Sequence, residues 1–252
     1  MIRGLFVFAV AFSSCAVLLL FGGLVALAWP TLAWRNRISL VLGRYWSMLC
    51  LRAAGIEVVI RSGREHLATK PAVFLFNHAN MLDFFVNGLM ATPGWLVFGK
   101  KQNGRIPIVG TAWWLGGHPL IDREDSTQWG RELTRVEGLL RQGWCTIVAP
   151  EGTRSKDGRV LPFKKGAFHL ALGSRAPIVP IVIHGAAPLA AAVWWPSPGR
   201  IEVEVLPPVD TTGWTADRLD DHIAQVRGLY LAALGSPAEY NGAAGHSSEA
   251  TA

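Results

Sequence analysis

Three features of this sequence predict an α/β fold, a central sheet covered by helices. Short apolar runs at 72–76, 145–149 and 178–183 have the length of strands, and the first reads as a buried one. Longer stretches with helical spacing of apolar residues lie between and after them. At 252 residues the chain is long enough for one sizeable core.

The elements follow in order. Residues 38–53 place Leu40, Val41, Trp46, Leu49 and Cys50 at helical spacing, with Arg44 and Arg52 between them. Periodicity leaves two readings open there, a core helix and a second membrane-associated helix. Strands are predicted at 56–60 and 72–76, a helix at 82–91, a short strand at 95–98, a helix at 108–115 and a strand at 118–121. The clearest amphipathic helix is 126–142, with Leu133, Val136, Leu139 and Leu140 on one side. Ser126 is its predicted N-cap and Gly143 its stop. Strands at 145–149, 178–183 and 201–205 and a helix from about 216 to 234 complete the body. Residues 163–168 read as a loop entering a short helix. The tail, 236–252, is small and polar without apolar periodicity and is expected to be disordered. The organisation expected is therefore an N-terminal membrane anchor and linker helix over 1–54, a catalytic body over 55–235 and that tail.

Half of the chain is hydrophobic, only 17% is charged, and the formal net charge is +6, with 11 tryptophans. That balance points to a membrane surface. Its Lys and Arg residues are scattered rather than gathered into a stripe, which argues against nucleic acid. Cys15, Cys50 and Cys145 have no metal-ligand spacing, so zinc is not expected, and free buried thiols fit a reducing compartment. From residue 4 to residue 29 there is no charge, roughly the 20 residues a helix needs to cross a bilayer core. Ala26-Leu27-Ala28 resembles a signal-peptidase site, but the stretch is longer than a usual leader core of about 7–15 residues, so an anchor is expected. Arg3 precedes it, while Arg35, Arg37, Arg44 and Arg52 follow, which puts the body on the cytoplasmic side. Spanning and dipping into one leaflet both fit the composition. Trp113-Trp114 and Trp194-Trp195 suit a membrane interface and a core equally.

The chemistry concentrates in two polar blocks, each following a predicted strand. The first is Asn77-His78-Ala79-Asn80-Met81-Leu82-Asp83. On one ideal helix His78 and Asp83 would lie about 140° apart, so they meet only if His78 sits on the turn before the helix and Asp83 in its first turns. A carboxylate on one ring nitrogen fixes the tautomer and leaves the other nitrogen free to take a proton from a hydroxyl. The second block is Pro150-Glu151-Gly152-Thr153-Arg154-Ser155. Gly152 permits positive φ, Arg154 can clamp a phosphate and Thr153 adds a hydroxyl donor. Lys156, Lys164 and Lys165 carry positive charge close by in sequence. The natural ligand of such a loop is a phosphate monoester. Neither a GxxxxGK[ST] phosphate loop nor a GxSxG nucleophile elbow is present. His66, His118, His169, His184 and His222 show no metal spacing and read as structural.

His78 to Asp83 as HxxxxD, then Glu151 to Arg154 as EGTR, resemble the motifs of the glycerolipid acyltransferase family, whose best-known members are the lysophosphatidate acyltransferases. Two further stretches match in order: Lys100-Lys101 with Ile106-Pro107, Gly110 and Leu120-Ile121-Asp122-Arg123, and Pro177-Ile178-Val179-Pro180-Ile181-Val182. The resemblance covers roughly 73–183. It implies a mixed central sheet flanked by helices, and acyl transfer from acyl-CoA or acyl-carrier protein to the free hydroxyl of a lysolipid, with no metal and no other cofactor. It makes His78 the general base, oriented by Asp83, and makes Glu151, Gly152, Thr153, Arg154, Arg123 and Lys100 or Lys101 substrate-binding residues. Asn80 stands where the family commonly has Ser or Thr, and Gln102-Asn103 where it often has Glu-Leu. Both leave the acceptor open between lysophosphatidate, another lysophospholipid and a lyso-ornithine lipid. A membrane lipid-binding protein without turnover is the non-catalytic rival, disfavoured by an intact His78/Asp83 pair.

Overall fold

The computed structural model describes residues 9–10, 12–17, 20, 23–24, 31–122, 125–155, 158–190 and 196–235. The expected anchor over 4–29 and the tail over 236–252 lie wholly or largely outside them, as do Arg123 and Trp194-Trp195. No helix of the described residues is long and apolar enough to cross a membrane.

The fold has three layers. A six-stranded sheet holds β1 (Ile56–Ser62), β2 (Ala72–Phe76), β3 (Trp95–Val97), β6 (Cys145–Val148), β7 (Ile178–His184) and β8 (Gly199–Val205), in the spatial order β1-β8-β7-β2-β6-β3. Neighbours are parallel except β7 and β8, so the sheet is mixed. A separate parallel pair, β4 (Gly99–Lys100) with β5 (Leu120–Ile121), lies beyond β3 in the chain. The helices are α1 (Leu32–Ala54), α2 (Leu82–Met90), α3 (Pro107–Gly116), α4 (Ser126–Arg141), α5 (Gly166–Ser174), the single turn α6 (Ala186–Leu189) and α7 (Leu219–Leu234).

Strand alternation divides the core. Ala72 and Phe74 of β2 face the layer built with α1 and α2, where Leu40, Leu51, Val86, Met90 and Trp95 are buried. Val73 and Leu75 face the other layer, with Val136 and Leu140 of α4, Phe168 of α5 and Val226 and Tyr230 of α7. Both faces are covered, which is why these strands read as unbroken apolar runs.

Several boundaries differ from expectation for local reasons. Helix α1 begins at Leu32, because the Thr31 hydroxyl accepts the Trp34 N–H, and it ends at Gly55 in the left-handed region. Its Leu40, Cys50, Leu51 and Ala54 are buried, so one face of it belongs to the core. Asp125, not Ser126, caps α4: its carboxylate accepts the Gln128 N–H at 2.9 Å. The tryptophan pair splits, Trp113 being 6% exposed and Trp114 68%. Arg35 stacks its guanidinium over Trp114, 5.1 Å from the ring centroid.

His118 packs edge-on to Trp113, and its Nδ1 accepts the Val97 N–H at 3.3 Å. Burial, aided by the charge of Arg135, lowers its pKa from 6.5 to about 4. In the unfolded chain the ring charges near pH 6.5; in the fold it stays neutral down to about 4, so its contribution is intact above 6.5 and drains away as the pH falls through that window. The loss reaches at most about 3 kcal/mol, because the residue keeps some exposure. Denaturant titrations at pH 7.5 and pH 4.5 should give a smaller difference for His118→Asn than for the wild type. Equal differences would remove His118 as the source.

Candidate active site

In the four strands β7, β2, β6 and β3, which run the same way, the carboxyl ends lie along one edge of the sheet, where open α/β sheets place their ligands. Both polar blocks leave from that edge, the first after β2 and the second after β6.

Asn77 carries the chain over the strand end. Its side-chain amide donates to the Ile183 carbonyl at 2.9 Å, and its Oδ1 accepts the Ile183 N–H at 2.8 Å, imitating one more residue of strand pairing with β7. His78 therefore sits on the turn and Asp83 in the first turn of α2, the arrangement that their spacing required. His78 Nδ1 lies 2.9 Å from Asp83 Oδ2. The same oxygen accepts the N–H groups of Ala79 at 2.7 Å and Asn80 at 2.9 Å. Asp83 is fully buried, while the His78 side chain keeps 24% of its surface. The carboxylate accepts from Nδ1–H, which leaves Nε2 with a lone pair. Asn80, the departure from the family pattern, has a scaffold role: its Oδ1 accepts the Leu82 N–H at 2.8 Å and its amide donates to the Ala186 carbonyl at 2.6 Å. Phe84 and Phe85, after Asp83, pack on Trp46 of α1.

The second block holds the first by its main chain. Glu151 Oε1 accepts the His78 N–H at 2.7 Å, and its Oε2 accepts the Leu161 N–H at 2.9 Å. The Ser155 N–H donates to the His78 carbonyl at 2.8 Å. Glu151 is 2% exposed, and burial raises its pKa against the pull of those two amides and of His78. Both oxygens of Glu151, expected to meet substrate, accept backbone amides instead of standing open on the loop. One of those amides is that of His78, a link that residue spacing alone does not reveal.

Gly152 takes φ +69°, and Thr153 and Arg154 are exposed beyond it. Arg154 has no ion pair among the described residues. The remaining predicted site residues are less uniform. Lys101 is bound to Asp122 at 3.0 Å. Lys100 is exposed on β4, three residues beyond β3, and Arg123 lies outside the described residues. Among the described residues no group of His, Cys, Asp and Glu is arranged to hold a metal ion.

A buried carboxylate, an imidazole with one nitrogen free and an arginine-bearing loop meet at one edge of the sheet. Residues 58–184 match the acyltransferase family model, and the chain belongs to that family. A 1-acyl-sn-glycerol-3-phosphate acyltransferase of Limnanthes douglasii is 35% identical over 209 residues, covering 81% of this chain and 72% of the relative. The enzyme of the same name from Escherichia coli (strain K12) is 30% identical, covering 69% of this chain and 71% of its own. The crystal structure of the 1-acyl-sn-glycerophosphate (LPA) acyltransferase PlsC from Thermotoga maritima superposes with a TM-score of 0.73 over 93% of this chain and 98% of that one; at 22% identity this likeness speaks for the fold.

Proposed function

We propose that this enzyme transfers a fatty acyl chain from a thioester, acyl-CoA or acyl-carrier protein, to the free hydroxyl of lysophosphatidate, giving phosphatidate. The observation that carries the reading is the His78–Asp83 pair beside the Gly152-Thr153-Arg154 loop, in a chain whose relatives bear the name 1-acyl-sn-glycerol-3-phosphate acyltransferase.

In this mechanism Nε2 of His78 takes the hydroxyl proton as the acceptor oxygen attacks the thioester carbonyl carbon. Asp83 stabilises the imidazolium that forms. The tetrahedral oxyanion collapses, the carbon–sulfur bond breaks, and the leaving thiolate recovers the proton from His78. Arg154 and Thr153 hold the acceptor phosphate, with Lys100 and Arg123 as further candidates; Lys101 would first have to leave Asp122. Glu151 positions the base through its main chain.

We also place the enzyme at the cytoplasmic face of a membrane. The support is the uncharged stretch from 4 to 29, followed by an exposed stripe on α1 that mixes Trp34, Val41, Tyr45 and Leu49 with Arg37, Arg44 and Arg52. No acidic residue occurs anywhere in α1.

The test is acyl transfer from palmitoyl-CoA by the purified full chain, run side by side on lysophosphatidate, other lysophospholipids and a lyso-ornithine lipid. Preferred turnover of lysophosphatidate is expected; preference for another acceptor would reassign the loop. Arg154→Ala should raise KM for the phosphate-bearing acceptor on the order of tenfold, with kcat little changed, because a charge-assisted contact made in both ground and transition states is lost. An unchanged KM would move the phosphate elsewhere.

A further inference from the structure

The sequence sets Lys164 and Lys165 alike near the second block, and the structure tells them apart. The ideal position of a Cβ on Gly152 is 3.0 Å from Lys164 Cδ, 3.2 Å from Cε and 3.6 Å from Nζ. The lysine stem thus lies along the bare face of Gly152 and carries the ammonium to the loop that bears Thr153 and Arg154. The backbone holds it there. The Lys164 N–H donates to the Pro150 carbonyl at 2.8 Å, and three residues earlier the Leu161 N–H is held by Glu151 at 2.9 Å. Arg227 fixes the same strap from α7, donating to the carbonyls of Val160 and Leu161. Glu151 therefore ties the backbone of the base and the backbone of the strap to one carboxylate.

Its charge is also uncommitted. Lys165, the next residue, is paired with Asp220 at 2.8 Å, whereas Lys164 has no carboxylate partner among the described residues. Near neutral pH a phosphate monoester carries a charge of about −1.5 to −2, which one arginine does not balance.

We propose that Lys164 is a substrate-binding residue that, with Arg154, clamps the terminal phosphate monoester of the acceptor across Gly152, so that the site selects a dianionic headgroup over an uncharged or esterified one. This rests on the lysophosphatidate reading above and goes further by naming the second cation and the headgroup charge it selects.

The experiment uses the full chain and four proteins: wild type, Lys164→Gln, Lys164→Arg and Lys165→Gln. Two readouts are taken. One is steady-state acylation of lysophosphatidate and of monoacylglycerol, the same acceptor without phosphate. The other is competitive inhibition by sn-glycerol 3-phosphate. Lys164→Gln should raise KM for lysophosphatidate, and Ki for glycerol 3-phosphate, on the order of tenfold with kcat within about twofold. Its KM for monoacylglycerol should not move. Lys164→Arg should recover most of the loss, and Lys165→Gln should behave as wild type. An unchanged Ki in Lys164→Gln, an equal KM rise for monoacylglycerol, or no inhibition of the wild type by glycerol 3-phosphate overturns the proposal. If the wild type ignores lysophosphatidate yet Ki still rises in Lys164→Gln, the phosphatidate reading falls and the Lys164 site stands.

Discussion

His78→Ala is expected to lower kcat on the order of a thousandfold, with little change in KM for either substrate, while the protein stays folded. In the proposed mechanism acceptor and donor are held by other residues, so the substitution removes only the proton transfer. The main chain of residue 78 keeps its bonds to Glu151 and Ser155 whatever the side chain, and Asp83 keeps the Ala79 and Asn80 amides. The variant does leave a buried carboxylate without its imidazole, which costs about 1–3 kcal/mol of stability. Circular dichroism and a thermal melt would establish the fold, and a single-turnover assay with saturating palmitoyl-CoA would isolate the chemical step. Turnover within tenfold of wild type in a folded variant would remove His78 as the base.

Glu151→Gln is expected to damage both stability and rate. The glutamine has one acceptor oxygen for two N–H groups, so its own NH₂ must face either the His78 or the Leu161 amide. A buried donor opposite a donor, with a charged bond lost, costs about 2–4 kcal/mol. That should appear as a lower urea midpoint with an unchanged slope. Because one of the two amides belongs to the base, kcat should fall as well. The sign of the effect on KM separates this role from phosphate binding. Removing a negative charge from a phosphate pocket would tighten the phosphate and lower KM. Loss of a backbone clamp would leave KM level or raise it. A variant of wild-type stability with an altered KM alone would return Glu151 to the substrate.

The strands and large helices were readable because burial on both faces leaves no ambiguity in an apolar run such as Ala72 to Phe76. The spacing of His78 and Asp83 dictated a turn-then-helix geometry, and the structure has it. Other features depend on contacts that periodicity does not encode. Asp125 caps α4 because the chain enters it extended, so its carboxylate reaches the Gln128 amide; a preference ranking of Ser126 contains nothing about that entry angle. The difference between Lys164 and Lys165 is set by Asp220, 55 residues away from the latter, and by a glycine on another loop. The inward turn of Glu151 follows from the register of β2 against β6, which sets the two strand ends side by side. Strand β5 falls inside the stretch 118–121 read as a strand, whereas its partner β4 has two residues, too few to leave a pattern.

The bond between Glu151 and the His78 amide spans 73 positions of chain. A chain that had formed only β2 and α2 would already bring the histidine and its aspartate within reach of each other, since they are neighbours in sequence. It would have no fixed direction in which to point them. Direction arrives when β6 adds beside β2 and Glu151 and Ser155 close on residue 78 from both sides. Enzymatic competence is therefore expected late in assembly, once the central strands have met, and the recovery of turnover after dilution from denaturant should lag behind the return of helical circular dichroism.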